Sequence, residues 1–288
     1  MIDMYRETGE IISNKNLAPR IKEQTIYAPL IAKSIKPGQF VIVIVDKRGE
    51  RIPLTPVKWD REEGWIRIVF LEVGVSTLKL GFKKAGEKLY YIVGPLGNPS
   101  IIERYGTVVM VGGGVGVPAL YPIAKALKSA GNRIISIIGA RSANLLIYEE
   151  EIRSVSDEVY ITTDDGSRGM KGFTSDALKI LLEKEKVDAI WTIGPAIMMK
   201  VCSDISKPYN IKTIASLNSI MVCGMGMCGA CRVRVGGKIK YTCIDGPEFD
   251  AHLVDWNEFL SRLKAYRPEE KIALDRFRKI LEKGEIHG

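Results

Sequence analysis

The first hundred residues carry short apolar runs broken by turn residues. "GEIISNKNLA" and "IKEQTIYAP" open the series, "GQFVIVIVD" (38–46) is a β-branched run behind a Pro-Gly turn, and "GWIRIVFLEV" (64–73) begins by alternating apolar and polar positions. Strands at such close spacing predict a small antiparallel β-barrel. A short helix is predicted from Val75. From Tyr105 the rhythm lengthens. "TVVMV", "RIISIIGA", "EVYITTDDG" and "DAIWTIGP" read as buried strands, and "PALYPIAKALKSAG", "NLLIYEEEIRSV" and "TSDALKILLEKEK" read as the helices between them. Strands alternating with helices predict a doubly wound parallel sheet. After Ala215 comes a segment rich in glycine and cysteine, then "DWNEFLSRLKAYRPEEKIALDRFRKILEKG", read as two amphipathic helices broken at Pro268. The expected architecture is a multidomain α+β chain. It has an antiparallel β-barrel over 1–104, a parallel α/β domain over 105–215, a small cysteine segment over 216–250 and a helical extension over 251–288.

One stretch imitates a membrane span. Residues 105–124 carry no charge and are about as long as a spanning helix. The same stretch holds five glycines and two prolines. A helix would lose about 1 kcal/mol per glycine and about 3 per interior proline, so a strand, a glycine loop and a helix fit better. At 288 residues, with 46% hydrophobic and 26% charged positions, the chain has an ordinary globular composition for about two domains. The N-terminal residues lack an apolar core segment, which predicts a cytoplasmic protein without a secretory signal. In that compartment structural disulfides are rare and clustered cysteines more often bind metal. The formal charge is +8, but no arginine-rich run or aromatic-interleaved basic patch accompanies it, which argues against nucleic acid. Lys and Arg are interspersed with Asp and Glu, as on a solvated surface. The excess also suits phosphate-bearing cofactors or an acidic electron-transfer partner.

Candidate chemistry begins at "MVGGGVGVPAL". Gly112, Gly113, Gly114 and Gly116 stand between a predicted strand and a predicted helix. Glycines there let the backbone approach a phosphate, and the helix N-terminus supplies free N–H groups. The loop keeps only the first two glycines of the G-x-G-x-x-G pattern, and a tight structural turn is the other reading. Parallel sheets bind ligands beyond the carboxyl ends of their strands. "GARS" ends a second strand there, with Arg141 and Ser142 placed for an adenosine ribose or its 2′-phosphate, or Arg141 for a surface salt bridge. "GPAIMM" ends a later strand, and "TTDDGSRGMKG" (162–172) is a polar loop that lines a nicotinamide pocket or simply turns. In the barrel, Thr55 offers a hydroxyl and Arg51 a phosphate contact. Ser76 and Thr77 open a helix, a position suited to anion binding or, for Ser76, to an N-cap. The turn "GPLGNP" (94–99) is a candidate neighbour of a pyrophosphate.

Cys223, Cys228, Cys231 and Cys243 are spaced C-x4-C-x2-C-x11-C. Three close cysteines in a glycine-rich loop and a fourth on a later strand match the plant-type [2Fe–2S] pattern. Gly224, Gly226 and Gly229 permit the backbone to crowd inward around the sulfurs. Structural zinc sites prefer two C-x2-C pairs, and only Cys228 and Cys231 form one. A zinc-stabilised nucleotide-binding protein is therefore the rival of another class. Cys202 stands apart on a helical stretch and reads as a buried structural thiol.

Barrel, nucleotide domain and "CGMGMCGACRV…CIDGPEF" in that order resemble the ferredoxin–NADP reductase superfamily. Nearly the whole chain is similar to the electron-transfer subunits grouped with that of NADH-linked dihydroorotate dehydrogenase. Within that group it most resembles the small (alpha) subunits of NADH-dependent ferredoxin:NADP oxidoreductases, also described as sulfide dehydrogenases. The resemblance implies FAD on the barrel, NAD(P)H on the second domain and a [2Fe–2S] cluster held by the four cysteines. It further implies a larger flavin and iron–sulfur partner subunit, with ferredoxin reached through that partner. Pro53, Leu54 and Thr55 would face the isoalloxazine, Thr55 near N5 as the residue closest to the chemistry. Phe70, Leu71 and Glu72 would line the ribityl and adenine side, and Ser76 and Thr77 would hold the pyrophosphate. Gly112 to Gly116 would face the nicotinamide nucleotide, with Met198 nearby. Two departures stand out. Many relatives carry aspartate where this chain has Cys223, and Arg51 lies one residue farther from Thr55 than the superfamily motif places it, with no aromatic between.

Overall fold

The structure is a computed structural model that describes residues 6–283. Its N-terminal part contains β1 (Ile11–Ala18), β2 (Ile21–Tyr27), α1 (Pro29–Ser34), β3 (Phe40–Ile44), β4 (Ile52–Leu54), β5 (Pro56–Asp60), β6 (Trp65–Leu71), α2 (Val75–Phe82) and β7 (Tyr91–Leu96). The predicted barrel forms as two antiparallel sheets, β1-β2-β6-β5 and β4-β3-β7. Period-two burial explains them. Ile66, Ile68 and Phe70 of β6 point the same way as Val41 and Val43 of β3, into one core with Ile11, Ile26, Ile35 and Leu80.

The second part runs β8 (Thr107–Gly113), α3 (Val117–Ser129), β9 (Arg133–Ala140), α4 (Glu149–Val155), β10 (Glu158–Thr163), β11 (Met170–Lys171), α5 (Thr174–Leu182), β12 (Ala189–Ile193), α6 (Ala196–Ser206) and β13 (Lys212–Ser216). The helix expected over "NLLIYEEEIRSV" is shorter than the pattern suggested. A 3-10 turn covers Ala143–Leu145, and Tyr148 at φ 61 interrupts the chain before α4 starts. The third part adds β14 (Arg232–Val235), β15 (Lys238–Tyr241), α7 (Thr242–Asp245), β16 (Glu248–Asp250), α8 (Trp256–Arg262) and α9 (Arg267–Glu282). Pro268 does not lie between two helices but in the first turn of α9, where its missing N–H has no helical acceptor to lose.

The central sheet has the order β11-β10-β9-β8-β12-β13-β16. All neighbours are parallel except β16, which pairs antiparallel with β13. From β8 the chain first builds one flank and then the other, so the order reverses between β8 and β12. That is the switch point where such sheets leave a crevice.

The parts share cores. Ile21, Val57 and Val69 on the outside of the barrel pack with Val108, Met110, Val117 and Leu120 of the parallel domain. Phe40 and Ile42, on the outer face of β3, pack with Met221, Cys231 and Cys243. The cysteine segment therefore sits on the flank of the barrel and gives its last strand to the central sheet. α9 returns to the barrel at α2, where Lys79 Nζ lies 5.7 Å from the centre of the Phe277 ring.

Candidate functional site

The cysteine loop owes its shape to backbone that only glycine adopts readily. Gly224, Gly226 and Gly229 have φ of +74°, +80° and +69°. In this conformation amide groups turn toward sulfur. The N–H groups of Met225 and Cys228 donate to Cys223 Sγ at 3.5 and 3.4 Å, that of Gly226 to Cys243 Sγ at 3.2 Å, and that of Ala230 to Cys228 Sγ at 3.5 Å. Cys243 does not lie on a strand. It lies in the short helix α7 directly after β15. The turn is held over Cys231 by Thr242, whose N–H and hydroxyl both donate to the Cys231 carbonyl, at 3.1 and 2.7 Å. Cys231 Sγ and Cys243 Sγ are 3.2 Å apart, both buried, while Cys223 is half-buried and Cys228 exposed.

These surroundings split the thiols electrostatically. Burial pushes Cys223 up, but amide donors from Met225 and Cys228 outweigh it and bring the thiol down to about 6. Burial, and after it the adjoining Cys231, push Cys243 up to about 12. Negative charge on the Cys243 sulfur is thus disfavoured, and a coordinating metal would supply the compensating charge. Among the described residues, no three of Cys, His, Asp or Glu converge as one metal ion requires. The Cys231 and Cys243 sulfurs are in contact, and the Cys228 N–H ties the other two cysteines together through Cys223 Sγ.

On the barrel, Pro53 and Leu54 lie in β4 and Thr55 at the break before β5, a half-buried run. β4 pairs with β3 so that Pro53 stands opposite Ile42. A Cβ built on Gly224 would lie 2.4 Å from Ile42 Cδ1. One residue of β3 thus touches the cysteine loop on its face and the Pro53–Thr55 strand along its edge. Several expectations shift here. Phe70 is 2% exposed and its side chain belongs to the barrel core, so only its backbone is free to line a ligand. Leu71, of opposite parity, packs toward the parallel domain. The Glu72 carboxylate lies over Gly81 of α2, where a Cβ would be 1.9 Å from its Oε1.

The N-cap of α2 is Gly74, not Ser76. Thr77 accepts from the N–H groups of Val73 and Gly74, both at 3.0 Å, and donates to the Gly74 carbonyl. The Ser76 hydroxyl donates to Glu50 Oε2 at 2.7 Å. Both hydroxyls are committed within the protein, which leaves a pyrophosphate the amide groups of the first turn. "GPLGNP" faces the cysteine segment rather than α2: Asn98 N–H donates to the Gly246 carbonyl at 2.7 Å and Asn98 Nδ2 to the Ile244 carbonyl at 3.0 Å.

At the switch point the glycine loop and the end of β12 interlock. A Cβ would lie 2.6 Å from Leu120 Cδ1 at Gly112, 2.7 Å from Met198 Sδ at Gly113, and 2.3 Å from the Ile193 carbonyl oxygen at Gly116. Gly114 instead faces open space, with φ +55°. Met198 thus stands against the loop as expected. Arg141 is exposed just past β9, and Ser142 donates to Asn144 Oδ1 at 2.6 Å. The Arg141 carbonyl accepts from Asp165 N–H, and Ser167 Oγ accepts from Ala143 N–H, so the 162–172 loop is tied to the "GARS" loop. Cys202 is buried, and desolvation raises its thiol to about 12, as suits a structural role.

Residues 218–255 match the family model described as the iron–sulfur cluster binding domain of dihydroorotate dehydrogenase B. Over 271 residues, 94% of this chain and 96% of the relative, the chain is 49% identical to a Thermotoga maritima protein described as a dihydroorotate dehydrogenase B (NAD(+)) electron transfer subunit homolog. It is 33% identical over 255 residues to the dihydroorotate dehydrogenase B (NAD(+)) electron transfer subunit of Geobacillus thermodenitrificans, covering 85% of this chain and 97% of that one. The chain belongs to the dihydroorotate dehydrogenase B electron transfer subunit family. Among solved structures, a chain from work on flavin-based electron bifurcation in an NADH-dependent reduced ferredoxin–NADP oxidoreductase superposes with TM-score 0.90. It is 47% identical, with 95% of this chain and 99% of that one covered. Phthalate dioxygenase reductase shares the fold alone, at TM-score 0.60 and 16% identity over 78% of this chain and 85% of that one. No helix among the described residues is long and apolar enough to cross a membrane.

In this electron transfer subunit the matched segment holds all four clustered cysteines and also Glu248. Sequence reasoning gave no role to that residue, to Ser100 or to Trp191, and placed the turn holding Asn98 beside a pyrophosphate; these residues fasten the segment. The "GPEF" that follows Cys243 pointed to Glu248 alone.

Proposed function

We propose that this chain takes electrons from NAD(P)H onto FAD and exchanges them singly, through a [2Fe–2S] cluster, with a larger flavin and iron–sulfur subunit, in the manner of ferredoxin:NAD(P) oxidoreductases. The observation that carries this reading is the shared strand β3. Its Ile42 stands opposite Pro53 and against Gly224, so the proposed flavin wall and the cysteine loop adjoin through one residue. Residues 1–104 would hold FAD, 105–215 the nicotinamide nucleotide and 216–250 the cluster, in a cytoplasmic hetero-oligomer. When bound, FAD would supply a hydride acceptor for the nicotinamide and a source of single electrons for the cluster.

The protein's part is to orient and to shield. Pro53 and Leu54 would face the flavin ring from a half-buried strand, and Thr55 would offer it a hydroxyl. The first turn of α2 gives amide donors to the pyrophosphate. Gly114 lets the nucleotide approach, and Met198 closes the crevice behind Gly113. Arg141 and Ser142 stand where the adenosine end would lie. Cys223, Cys228, Cys231 and Cys243 bind iron as thiolates, and four amide donors spread the resulting charge.

Anaerobic purification followed by iron, sulfide and flavin analysis tests this. The expected result is one FAD and two irons with two sulfides per chain, with absorbance bleached by NADH or NADPH. A colourless protein holding zinc overturns it. The family match equally favours a second reading, an electron-transfer subunit serving a dihydroorotate dehydrogenase. Co-purification separates the two: a partner reducible by dihydroorotate supports the second, and a partner reducible by ferredoxin supports the first.

A further inference from the structure

Residues 244–248 follow the last cluster cysteine, and the function proposed above, on which this inference rests, gives them no role. Three hydrogen bonds fasten them to the chain leaving the barrel. Two come from Asn98, to the Gly246 and Ile244 carbonyls at 2.7 and 3.0 Å. The third runs from the Ser100 hydroxyl to Glu248 Oε1 at 2.6 Å. The backbone here also joins the parallel sheet, through β16 beside β13 and through the Pro247 carbonyl, which accepts from Leu217 N–H at 2.9 Å; the Glu248 side chain adds a tie to a second strand of that sheet. Trp191 Nε1, on β12, donates to its Oε2 at 3.2 Å. Trp191 is 1% exposed and stacks edge-on with Tyr105 at 5.3 Å, so it is a fixed anchor. Gly38, at φ +84°, closes over the pair: a Cβ there would lie 2.2 Å from Ser100 Oγ and 3.2 Å from Glu248 Oε1.

We propose that Glu248 is a positioning residue for electron transfer, tying the cluster segment at once to the barrel and to the nucleotide sheet and so fixing the separation of cluster and flavin. Each carboxylate oxygen accepts from a different domain, an arrangement that a one-acceptor side chain cannot reproduce. Burial of the carboxylate pushes its pKa up, and the Ser100 and Trp191 donors work against that shift. A group costly to bury, held by two donors from two domains, is better explained by registration of those domains than by stability. Electron tunnelling falls exponentially with distance. The proposed hydride transfer would take place between the barrel and the switch point, which are held together by Ile21, Val57 and Val69 packed against Val108, Val117 and Leu120.

Stopped-flow mixing of the loaded full-length chain with NADH separates flavin reduction from cluster reduction. Glu248→Ala is expected to slow cluster reduction at least tenfold and to change flavin reduction less than twofold. Glu248→Gln keeps one carbonyl acceptor, and Ser100→Ala removes only the barrel tie, so both should fall between wild type and Glu248→Ala. Wild-type cluster reduction in Glu248→Ala, at full iron and sulfide content, overturns the proposal. So does equal slowing of both steps, which would mark general loosening. Should Glu248→Ala fail to fold, the other two variants carry the same comparison, and an unchanged ratio of the two rates in both overturns the proposal. A wild-type chain whose cluster is never reduced refutes the underlying function instead.

Discussion

Two glycine-rich loops carry the proposed chemistry, and they use glycine for opposite reasons. In the nucleotide loop the demand comes from neighbours: at Gly112, Gly113 and Gly116 a Cβ would fall within 2.3–2.7 Å of a leucine methyl, a methionine sulfur and a carbonyl oxygen. Only Gly114 there needs positive φ. In the cysteine loop the backbone makes the demand at every position, since Gly224, Gly226 and Gly229 all have positive φ, and at Gly224 and Gly226 a Cβ would also meet the flexible ends of Ile42 and Ile244, at 2.4 and 2.6 Å. Other residues adopt that conformation at a cost of about 1–2 kcal/mol each. What the strain gains is amide groups aimed at sulfur. One loop is thus held by close packing in a finished core, the other by hydrogen bonds to the sulfurs and, in the function proposed above, by the cluster they would bind.

The largest expected effect follows from that difference. Cys231→Ser, or exhaustive chelation, should abolish iron and sulfide binding and make residues 222–230 the first site of limited proteolysis. NADH binding, followed by fluorescence, should change less than threefold, because packing holds the nucleotide loop. Parallel loss of nucleotide binding would break the comparison. Next in size is Gly116→Ala. Its methyl meets the backbone at Ile193, which cannot swing aside, and overpacking of this kind costs about 1–3 kcal/mol. Nucleotide affinity should fall at least tenfold, with a lowered melting temperature, while iron content stays at the wild-type level.

The sequence disclosed the cysteine loop more fully than the flavin wall, for a physical reason. Metal ligands announce themselves by residue type and spacing, and a parallel sheet by long apolar runs such as that of β8. A flavin contact depends on which face of a strand a side chain takes. Phe70 shares parity with Ile66 and Ile68, so it belongs to the core, and the alternation in β6 already carried that information. Ser76 and Thr77 were ambiguous because a helix start favours the same residues for capping as for anions. Glu248 lay beyond any local pattern: its partner Ser100 is 148 residues away. The C-terminal helices were legible as helices, but not the return of α9 to α2, since an amphipathic stripe does not name its partner.

A smaller effect is expected at Gly224, where both demands meet. Its φ is positive, and a methyl there would press on Ile42 Cδ1 at 2.4 Å. That atom ends a flexible side chain, so part of the clash can relax. Gly224→Ala should cost the φ penalty of about 1–2 kcal/mol, plus a contact term of at least about 0.5 kcal/mol. Ile42→Val, which deletes the offending methyl, should recover the contact term and leave the penalty. Thermal unfolding of the single and double variants checks this, and strict additivity would show that Ile42 and the cysteine loop do not touch.

The smallest and sharpest comparison pairs Gly114→Ala with Gly229→Ala. Both positions have positive φ, +55° and +69°, and neither methyl would clash: nothing lies within 4 Å at Gly114, and the nearest atom at Gly229 is Tyr241 Cε1 at 3.8 Å. In protein stripped of iron the two substitutions should cost the same, about 1–2 kcal/mol, because each adds only the penalty of a side chain at positive φ. In loaded protein the values should separate. A strained Gly229 position misdirects the amides beside Cys228 and Cys231, so cluster loss on dilution should quicken for Gly229→Ala and not for Gly114→Ala. Melting temperatures with and without iron, read alongside the rate of cluster release, measure both effects. Equal behaviour in the loaded protein would mean that the amide cage around the sulfurs contributes nothing to holding the cluster, and that glycine serves one purpose in both loops.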